Sequence, residues 1–253
     1  MTIAENAWKA EAVNILFGAH HLARIGFPGD RLPQHVILYN FEPQQPGTFW
    51  DRSEMVRWFA QYPVWDYSLA NAAYRNQHAW PEHWYTVPIG YTSSWNRICH
   101  QDHPDREVLF YGSLTERRRA ALDALEQQGL AVETLFGVYG SERDAWVARS
   151  RLVLNFHQVS GAPFEAVRVA YLLANRCAVV AEGDPTQDED ARPWGEGLAW
   201  TTYDDVSATC QRLLADAPAR QRLAEQGYQR MQQRSEARYL EQVLDQMAID
   251  RIL

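Results

Sequence analysis

Three consecutive arginines, Arg117, Arg118 and Arg119, stand in the first turns of a predicted helix, just after Gly112 and Ser113 end a strand. The positive end of the helix dipole disfavours cations at these positions by about 0.3–1 kcal/mol each. The cluster is explained if at least one guanidinium faces an anion, and Arg117 or Arg118 is then the candidate for a diphosphate contact. The alternative is that two or all three are solvated surface residues.

A second candidate anion site lies between Ser160 and Arg168. Small residues around Gly161 lead to Phe164, which opens a predicted helix. The first N–H groups of a helix lack partners within it and can hold a pyrophosphate. Glu165 and Arg168, three residues apart, share one face of that helix. They form either an intrahelical ion pair or part of a ligand site; we favour the ligand site because other residues already supply the apolar face.

Two adjacent histidines, His20 and His21, follow the first predicted strand. A histidine at such a strand end can act as a base or bind a substrate oxygen, and we expect at most one of the pair to enter a cleft. No carboxylate or cysteine stands at ligand spacing beside them, so no metal site is predicted. Residues 100–103 resemble a metal site in composition, but a solvated loop is the simpler interpretation. The acidic run 188–190 lies in a loop, so we discount it as well.

Alternating strand and helix patterns position these residues. In the second half, strands are predicted at 107–111, 131–136, 151–156 and 177–181, and helices at 113–128, 141–149 and 164–174. A capping box at Ser113–Glu116 is expected to open the first of these helices. In the first half, strands are predicted at 13–17, 35–39 and 64–67, and helices at 54–62 and 69–77. Nearly all-apolar strands alternating with helices predict an α/β protein with parallel sheets.

Composition restricts the class of protein. A chain of 253 residues with a net charge of −8 can hold one large α/β domain or two small ones, and no basic stripe favours a nucleic-acid partner. Three cysteines at unpaired spacings argue against a disulfide framework. Neither a signal pattern nor an apolar run of about 18 residues is present. We therefore expect a cytoplasmic protein without a membrane span.

The order of these segments resembles the donor half of GT-B glycosyltransferases, most closely the bacterial group-1-like and spore-maturation-type enzymes. Residues 108–118, 135–140 and 165–180 carry the resemblance, and 86–91 is similar to the extended piece that joins the two lobes of that fold. The resemblance covers residues 85–231 well and 13–84 loosely. It implies two Rossmann-like lobes with parallel sheets, the first lobe reduced to three credible strands.

The expected domain organisation follows from the resemblance. Residues 1–91 form a small acceptor-side lobe, 92–105 a linker and 106–231 the donor lobe, while 232–253 form a helix that crosses back to the first lobe. Since the first lobe is small, acceptor binding is either shallow or completed by a partner or a second subunit, so a homo-oligomer is one possibility.

The resemblance also implies a function and a set of site residues. A nucleoside-diphosphate sugar is the expected donor, bound by the second lobe without a metal or a cofactor, and the acceptor is not specified. The donor-binding candidates are Gly112, Ser113, Arg117, Arg118, Tyr139, Gly161, Phe164, Arg168 and Tyr171. The catalytic candidates are His20, His21 and Glu165. Retention is slightly favoured, and the histidines then bind the transferred sugar; in an inverting enzyme one of them is the base.

One position departs from the pattern that the resemblance implies. Related sequences carry Arg-x-x-Glu on the helix before the last core strand, and the glutamate holds the nucleotide ribose. Here Arg168 matches, but Tyr171 replaces the glutamate, and a phenol does not make a bidentate carboxylate contact. A non-catalytic nucleotide or nucleotide-sugar binding protein therefore stays open, as does a nucleotide-sugar epimerase. The absence of Gly-x-Gly-x-x-Gly after the strands disfavours a Rossmann oxidoreductase.

Overall fold

The computed structural model describes residues 8–24, 32–44, 53–77 and 83–249. The chain divides into two compact units, Met1–Pro88 with Arg238–Leu253 and Ile89–Ala237. Each unit has its own parallel sheet, which confirms the predicted α/β class. Among the described helices, none is both long and apolar enough to cross a membrane.

The strands and α-helices alternate along most of the described chain. In order they are β1 Asn14–Phe17, α1 Ala19–Arg24, β2 Val36–Asn40, α2 Ser53–Gln61, β3 Val64–Asp66, α3 Leu69–Gln77, β4 Trp84–Thr86, β5 Arg106–Tyr111, α4 Glu116–Gln127, β6 Val132–Leu135, α5 Gly140–Ala148, β7 Ser150–Asn155, α6 Ala166–Ala174, β8 Val179–Glu182, β9 Ala199–Thr201, α7 Val206–Ala215, α8 Ala217–Gln232 and α9 Glu236–Ile249.

The first unit buries both faces of a four-stranded sheet in the order β1-β2-β3-β4. Successive side chains of a strand point to opposite faces, so Leu38 joins the core beneath α2 while Tyr39 belongs to the core on the other face. That second face is covered by α9, whose Val243 and Met247 are buried there. The indole of Trp65 donates to Sδ of Met247 at 3.1 Å. The sheet contains one strand more than expected, β4, where the sequence indicated only an extended segment.

The second unit places the ends of its parallel strands at one edge. Its sheet has the order β6-β5-β7-β8-β9, and every neighbouring pair is parallel. The chain moves from β5 to β6 on one side and then to β7 on the other, so the strand order reverses between β5 and β7. Beyond the carboxyl ends of these two strands lies the crevice where open α/β sheets bind ligands.

Two helices of the second unit begin later than predicted. Thr115, not Ser113, caps α4, because its Oγ1 accepts the backbone N–H of Arg118 at 3.4 Å. The helix α6 starts at Ala166, and Glu165 occupies the capping position before it with φ −77° and ψ 58°. Glu165 and Arg168 are therefore not two positions within one helix, and the intrahelical ion pair considered from the sequence does not form.

Residues 92–105 belong to the second unit and are held against α6. Asn175 ends that helix, and its Oδ1 accepts the backbone N–H groups of Arg97 and Ile98 at 2.9 and 2.8 Å. The main-chain carbonyl of Asn175 also lies 2.5 Å from Nε2 of His100. These bonds fix the segment that precedes β5.

Candidate functional site

The carboxyl edge of the second sheet gathers polar side chains from two strands, two helices and the loops beside them. Gly112 follows β5, Asn155 ends β7 and Glu182 ends β8. His157 follows β7 by two residues, and Glu165 precedes α6. The parallel topology brings these positions together although they span much of the unit in sequence. We call this set, with Arg117, Arg118 and Arg168, the edge cluster.

Glu165 is the centre of the edge cluster. Its Oε1 accepts Nη2 of Arg118 at 3.2 Å. Its Oε2 accepts Nδ2 of Asn155 at 3.1 Å and is 3.0 Å from Nδ1 of His157. Burial raises the pKa of Glu165. Its bond to His157 and the charges of His157, Arg168 and Arg118 lower the pKa by a larger amount, so the net shift is downward. The carboxylate is thus an ionised acceptor fixed by three neighbours.

Arg118 is a buried structural group, only 3% exposed. Its Nε and Nη2 donate to the carbonyl of Phe156 at 3.0 and 2.5 Å, and Nη1 donates to the carbonyl of Ser113 at 3.1 Å. Burial and the nearby charge of Arg168 lower its pKa to about 10. The carboxylate of Glu165 thus supplies an anion for this cation in the first turn of α4, and a diphosphate contact of Arg118 stays a prediction.

Arg117 is also committed to a protein carboxylate. Its Nη1 donates to Oε2 of Glu182 at 2.8 Å, and Nη2 contacts Oε1 of the same group, so the pair is bidentate. Nη1 also donates to the carbonyl of His157 at 3.2 Å, and the guanidinium stacks 4.4 Å above the Tyr203 ring. The bond to Glu182 raises the pKa of Arg117. Arg119, the third member of the run, is exposed.

Arg168 differs from the other two arginines of the edge cluster. Its Nη1 makes a long bond of 3.4 Å to Oδ1 of Asn155, and its guanidinium lies 5.4 Å from the Tyr111 ring centroid. It forms no ion pair with any residue in the described part of the chain. The group is half-buried and packs against Gly112, where a Cβ would stand 2.9 Å from Nη2. Gly112, at φ +136°, thus leaves the room that this cation occupies.

His157 completes the edge cluster and was not among the residues predicted from the sequence. Its backbone N–H donates to Oε2 of Glu182 at 3.1 Å, while Nδ1 faces Glu165. Burial lowers the pKa of His157, but the bond to Glu165 and the charges of Glu165, Glu182 and Asp188 raise it more, so the net shift is upward. The available signal was its place two residues after a buried strand, the same criterion that selected His20.

Tyr171 lies in a separate polar group on α6. Its hydroxyl donates to Oδ1 of Asp144 at 2.8 Å and accepts Nε of Arg97 at 2.9 Å. The guanidinium of Arg143 stacks 4.3 Å from its ring and binds the same carboxylate at 2.7 Å. Burial and the bond to Asp144 raise the pKa of Tyr171. The hydroxyl that stands where the resemblance expects a ribose-binding glutamate is therefore already bonded within the protein.

The remaining donor-side candidates occupy loops and core. Tyr139 is 76% exposed at the start of α5, in the loop after β6, and Gly161 lies in the exposed loop after β7. Ser113 is exposed and contributes its carbonyl to Arg118. Phe164 is fully buried, with its ring 5.2 Å from that of Trp200. A contact of this buried side chain with a donor stays a prediction.

The two histidine candidates belong to the first unit. Both lie in α1, the helix that follows the first strand, with their ring centroids 3.9 Å apart. Nε2 of His20 is 3.8 Å from Oε1 of Glu42, whose pKa burial raises. Within the described ranges, no group of three histidine, cysteine or acidic side chains is arranged to hold a metal ion.

No protein-family model and no curated protein sequence matches this chain. Solved structures do. TarM aligns with a TM-score of 0.63 at 9% identity over 91% of this chain, which spans 53% of TarM, about half its length. HepE from Anabaena, solved with UDP and glucose, gives 0.66 at 12% identity, covering 93% of this chain and 77% of HepE. WaaG, a glycosyltransferase involved in lipopolysaccharide biosynthesis, gives 0.56 at 13% identity, covering 90% and 80%.

These similarities define the class of fold. The matched structures are GT-B glycosyltransferases, and the two parallel α/β sheets of this chain are those of the GT-B fold. The fold implied by the sequence resemblance is thereby confirmed. At 9–13% identity the similarity establishes the fold, and the function must be argued from the site.

Proposed function

We propose that this chain is a glycosyltransferase that moves a sugar from a nucleoside-diphosphate sugar to an acceptor without a metal. The observation that carries the proposal is Arg168, a half-buried guanidinium without an ion pair among the described residues, packed on Gly112 at the point where the strand order reverses. Ligands of open α/β sheets bind at such points, and a guanidinium is suited to a diphosphate.

The chemistry that this site would perform is the stabilisation of a leaving group. The bond between the anomeric carbon and the β-phosphate oxygen breaks, a bond to an acceptor oxygen forms, and the acceptor proton is released. Negative charge grows on the departing diphosphate, and a fixed cation lowers the barrier because it needs no reorganisation. Arg168 itself lies in the first turn of α6, whose amino-terminal end carries the positive pole of the helix dipole. We include retention of configuration, which the resemblance implies, in the proposal.

The edge cluster supplies the rigidity that such a cation requires. Glu165 is held by Arg118, Asn155 and His157, and Asn155 in turn accepts from Arg168. We therefore assign the diphosphate contact to Arg168 and a supporting role to Arg118, which its burial favours. Arg117, bound to Glu182, supports the loop after β7 in the same manner. The transferred sugar is assigned to the neighbourhood of Glu165.

Turnover of nucleotide sugars tests the proposal. The wild-type protein is incubated with UDP-, ADP-, GDP- and dTDP-sugars, and release of the nucleoside diphosphate is measured with and without a chelator. We expect slow hydrolysis of at least one donor, insensitive to the chelator. The variant Arg168→Gln should weaken binding of that donor about 10–100-fold, the worth of a charge-assisted hydrogen bond. The exposed control Arg119→Gln should behave as wild type. No hydrolysis and no binding of any donor would refute the proposal.

A second function is favoured by one observation. The Tyr171 hydroxyl is bonded to Asp144 and Arg97, so it offers no free carboxylate to a ribose. A non-catalytic nucleotide-sugar binding protein has no transfer activity for such a replacement to impair. Donor binding without hydrolysis or transfer would favour this second function over the first.

A further inference from the structure

His157 and Glu165 form a pair with the geometry of an acid–base group. Nδ1 of His157 lies 3.0 Å from Oε2 of Glu165, and the ionised carboxylate accepts the proton on that nitrogen. A fixed partner on Nδ1 determines which tautomer the neutral ring adopts. The neutral ring then carries no proton on Nε2, while the charged ring carries one there and can donate it.

Nε2 is the nitrogen that the protein leaves for another group. No hydrogen bond joins it to any part of the chain that the structure describes, although the side chain is only 10% exposed. Gly183 lies beside this nitrogen, directly after β8, and a Cβ there would stand 4.0 Å from Nε2. Gly183 has φ +144°, a conformation that side chains rarely adopt, so residue 183 brings no side chain of its own towards Nε2.

The charges around the ring favour its protonated form. Glu165 before α6, Glu182 at the end of β8 and Asp188 in the following loop face it. The guanidinium of Arg117 on α4 contacts the backbone carbonyl of His157 and is itself neutralised by Glu182. An imidazolium in this position adds a second cation beside Arg168, and the two are connected through Glu165 and Asn155.

We propose that His157 is a further catalytic residue, whose protonated Nε2 donates a hydrogen bond to the diphosphate of the bound donor and thereby makes donor binding pH-dependent. The inference rests on the proposed function, since it concerns the same site. When the sugar–oxygen bond breaks, the electron pair stays on the β-phosphate oxygen, and the Nε2–H bond is available to that oxygen. The proton stays on Nε2 as the donor of this hydrogen bond, and the proton of the acceptor hydroxyl is the one released to solvent.

The probe for this inference is chosen from the nucleotide sugars named above, as the one that raises the melting temperature of the wild type most. Both phosphates of such a compound are diesters and do not titrate near neutral pH, so a pH dependence of affinity comes from the protein. Affinity is measured by calorimetry from about pH 5.5 to about pH 8.5, a range around the ordinary histidine pKa. We expect the wild type to bind about tenfold more weakly at the high end, because the charge-assisted bond is lost.

Two variants isolate the contribution of His157. His157→Gln keeps a donor towards Glu165 but has no charge, so it should bind weakly at every pH and show no change across this range. His100→Gln, a variant of an exposed histidine in the same unit, should keep the wild-type profile. A His157→Gln profile that equals the wild-type profile would overturn the inference while leaving the proposed function intact. A wild type that binds none of the panel at any pH would overturn both.

A measurement on the wild type alone covers the case in which His157→Gln does not fold. The two ring nitrogens of His157 are followed by NMR as the pH is varied, with and without the saturating nucleotide sugar. The bound diphosphate should raise the pKa of His157 and shift the Nε2 resonance. Titration curves that coincide with and without the ligand would overturn the inference.

Discussion

The change Gly112→Ala should lower both the stability of the second unit and its affinity for a diphosphate. The residue has φ +136°, so an alanine there is strained by about 1–3 kcal/mol. Its Cβ would stand 2.9 Å from Nη2 of Arg168, closer than van der Waals contact allows, and the guanidinium must move. We therefore expect a loss of about 1–3 kcal/mol in the free energy of unfolding and a separate, roughly tenfold loss of diphosphate affinity.

The variant Gly129→Ala is the matched control for Gly112→Ala. Gly129 follows α4 with φ +84°, and a Cβ there meets nothing within 4 Å. It should lose about 1–2 kcal/mol of stability from the backbone alone and keep wild-type affinity. Urea denaturation and calorimetry with a nucleoside diphosphate measure the two quantities. If Gly112→Ala binds as tightly as Gly129→Ala, the position of Arg168 does not matter for binding and the reasoning is refuted.

Three further outcomes follow from the described contacts. Arg118→Gln should destabilise the protein by about 3–5 kcal/mol in urea denaturation, because it removes one partner of a buried ion pair; a loss below about 1 kcal/mol would contradict its structural role. Tyr171→Phe should cost about 1 kcal/mol of stability, because the bond to Asp144 is lost, and should leave nucleotide affinity unchanged. A clear fall in nucleotide affinity would instead indicate that the Tyr171 hydroxyl contacts the ribose. The His157–Glu165 pair makes stability depend on pH in two ways. The raised pKa of His157 contributes stability that is present below its ordinary pKa of 6.5 and is lost as pH rises through the folded-state value. The lowered pKa of Glu165 contributes stability that is lost as pH falls below 4.5. The stability difference between wild type and His157→Gln should thus shrink above neutral pH, and a difference that is constant from mildly acidic to alkaline pH would contradict this linkage.

The sequence predicts the order of the elements well where the local signal is strong. The apolar runs of β5 and β8 were recognised as buried strands, and a helix was expected within 232–253, where α9 spans Glu236–Ile249. Helix starts were less accurate, because the cap of α4 was predicted at Ser113 and lies at Thr115. The choice depends on tertiary contacts, since the carbonyl of Ser113 accepts from the buried guanidinium of Arg118.

Local sequence patterns could not predict which side chains of the site pair with one another. Arg118 and Glu165 are 47 residues apart, and Arg117 and Glu182 are 65 apart. Helix-dipole reasoning indicated correctly that a cation in the first turn of α4 needs an anion, but it does not distinguish a ligand from a carboxylate of the same chain. His157 was missed for a related reason, since only the fold brings it beside Glu165.

The most direct test of the central claim is a crystal structure of the protein with the nucleoside diphosphate that gives the largest thermal shift. We expect the diphosphate to lie beyond the carboxyl ends of β5 and β7, with the Arg168 guanidinium and Nε2 of His157 within hydrogen-bond distance of its oxygens. Arg117 and Arg118 should keep their bonds to Glu182 and Glu165. A diphosphate bound elsewhere, or bound by Arg117 or Arg118 after their ion pairs break, would contradict it.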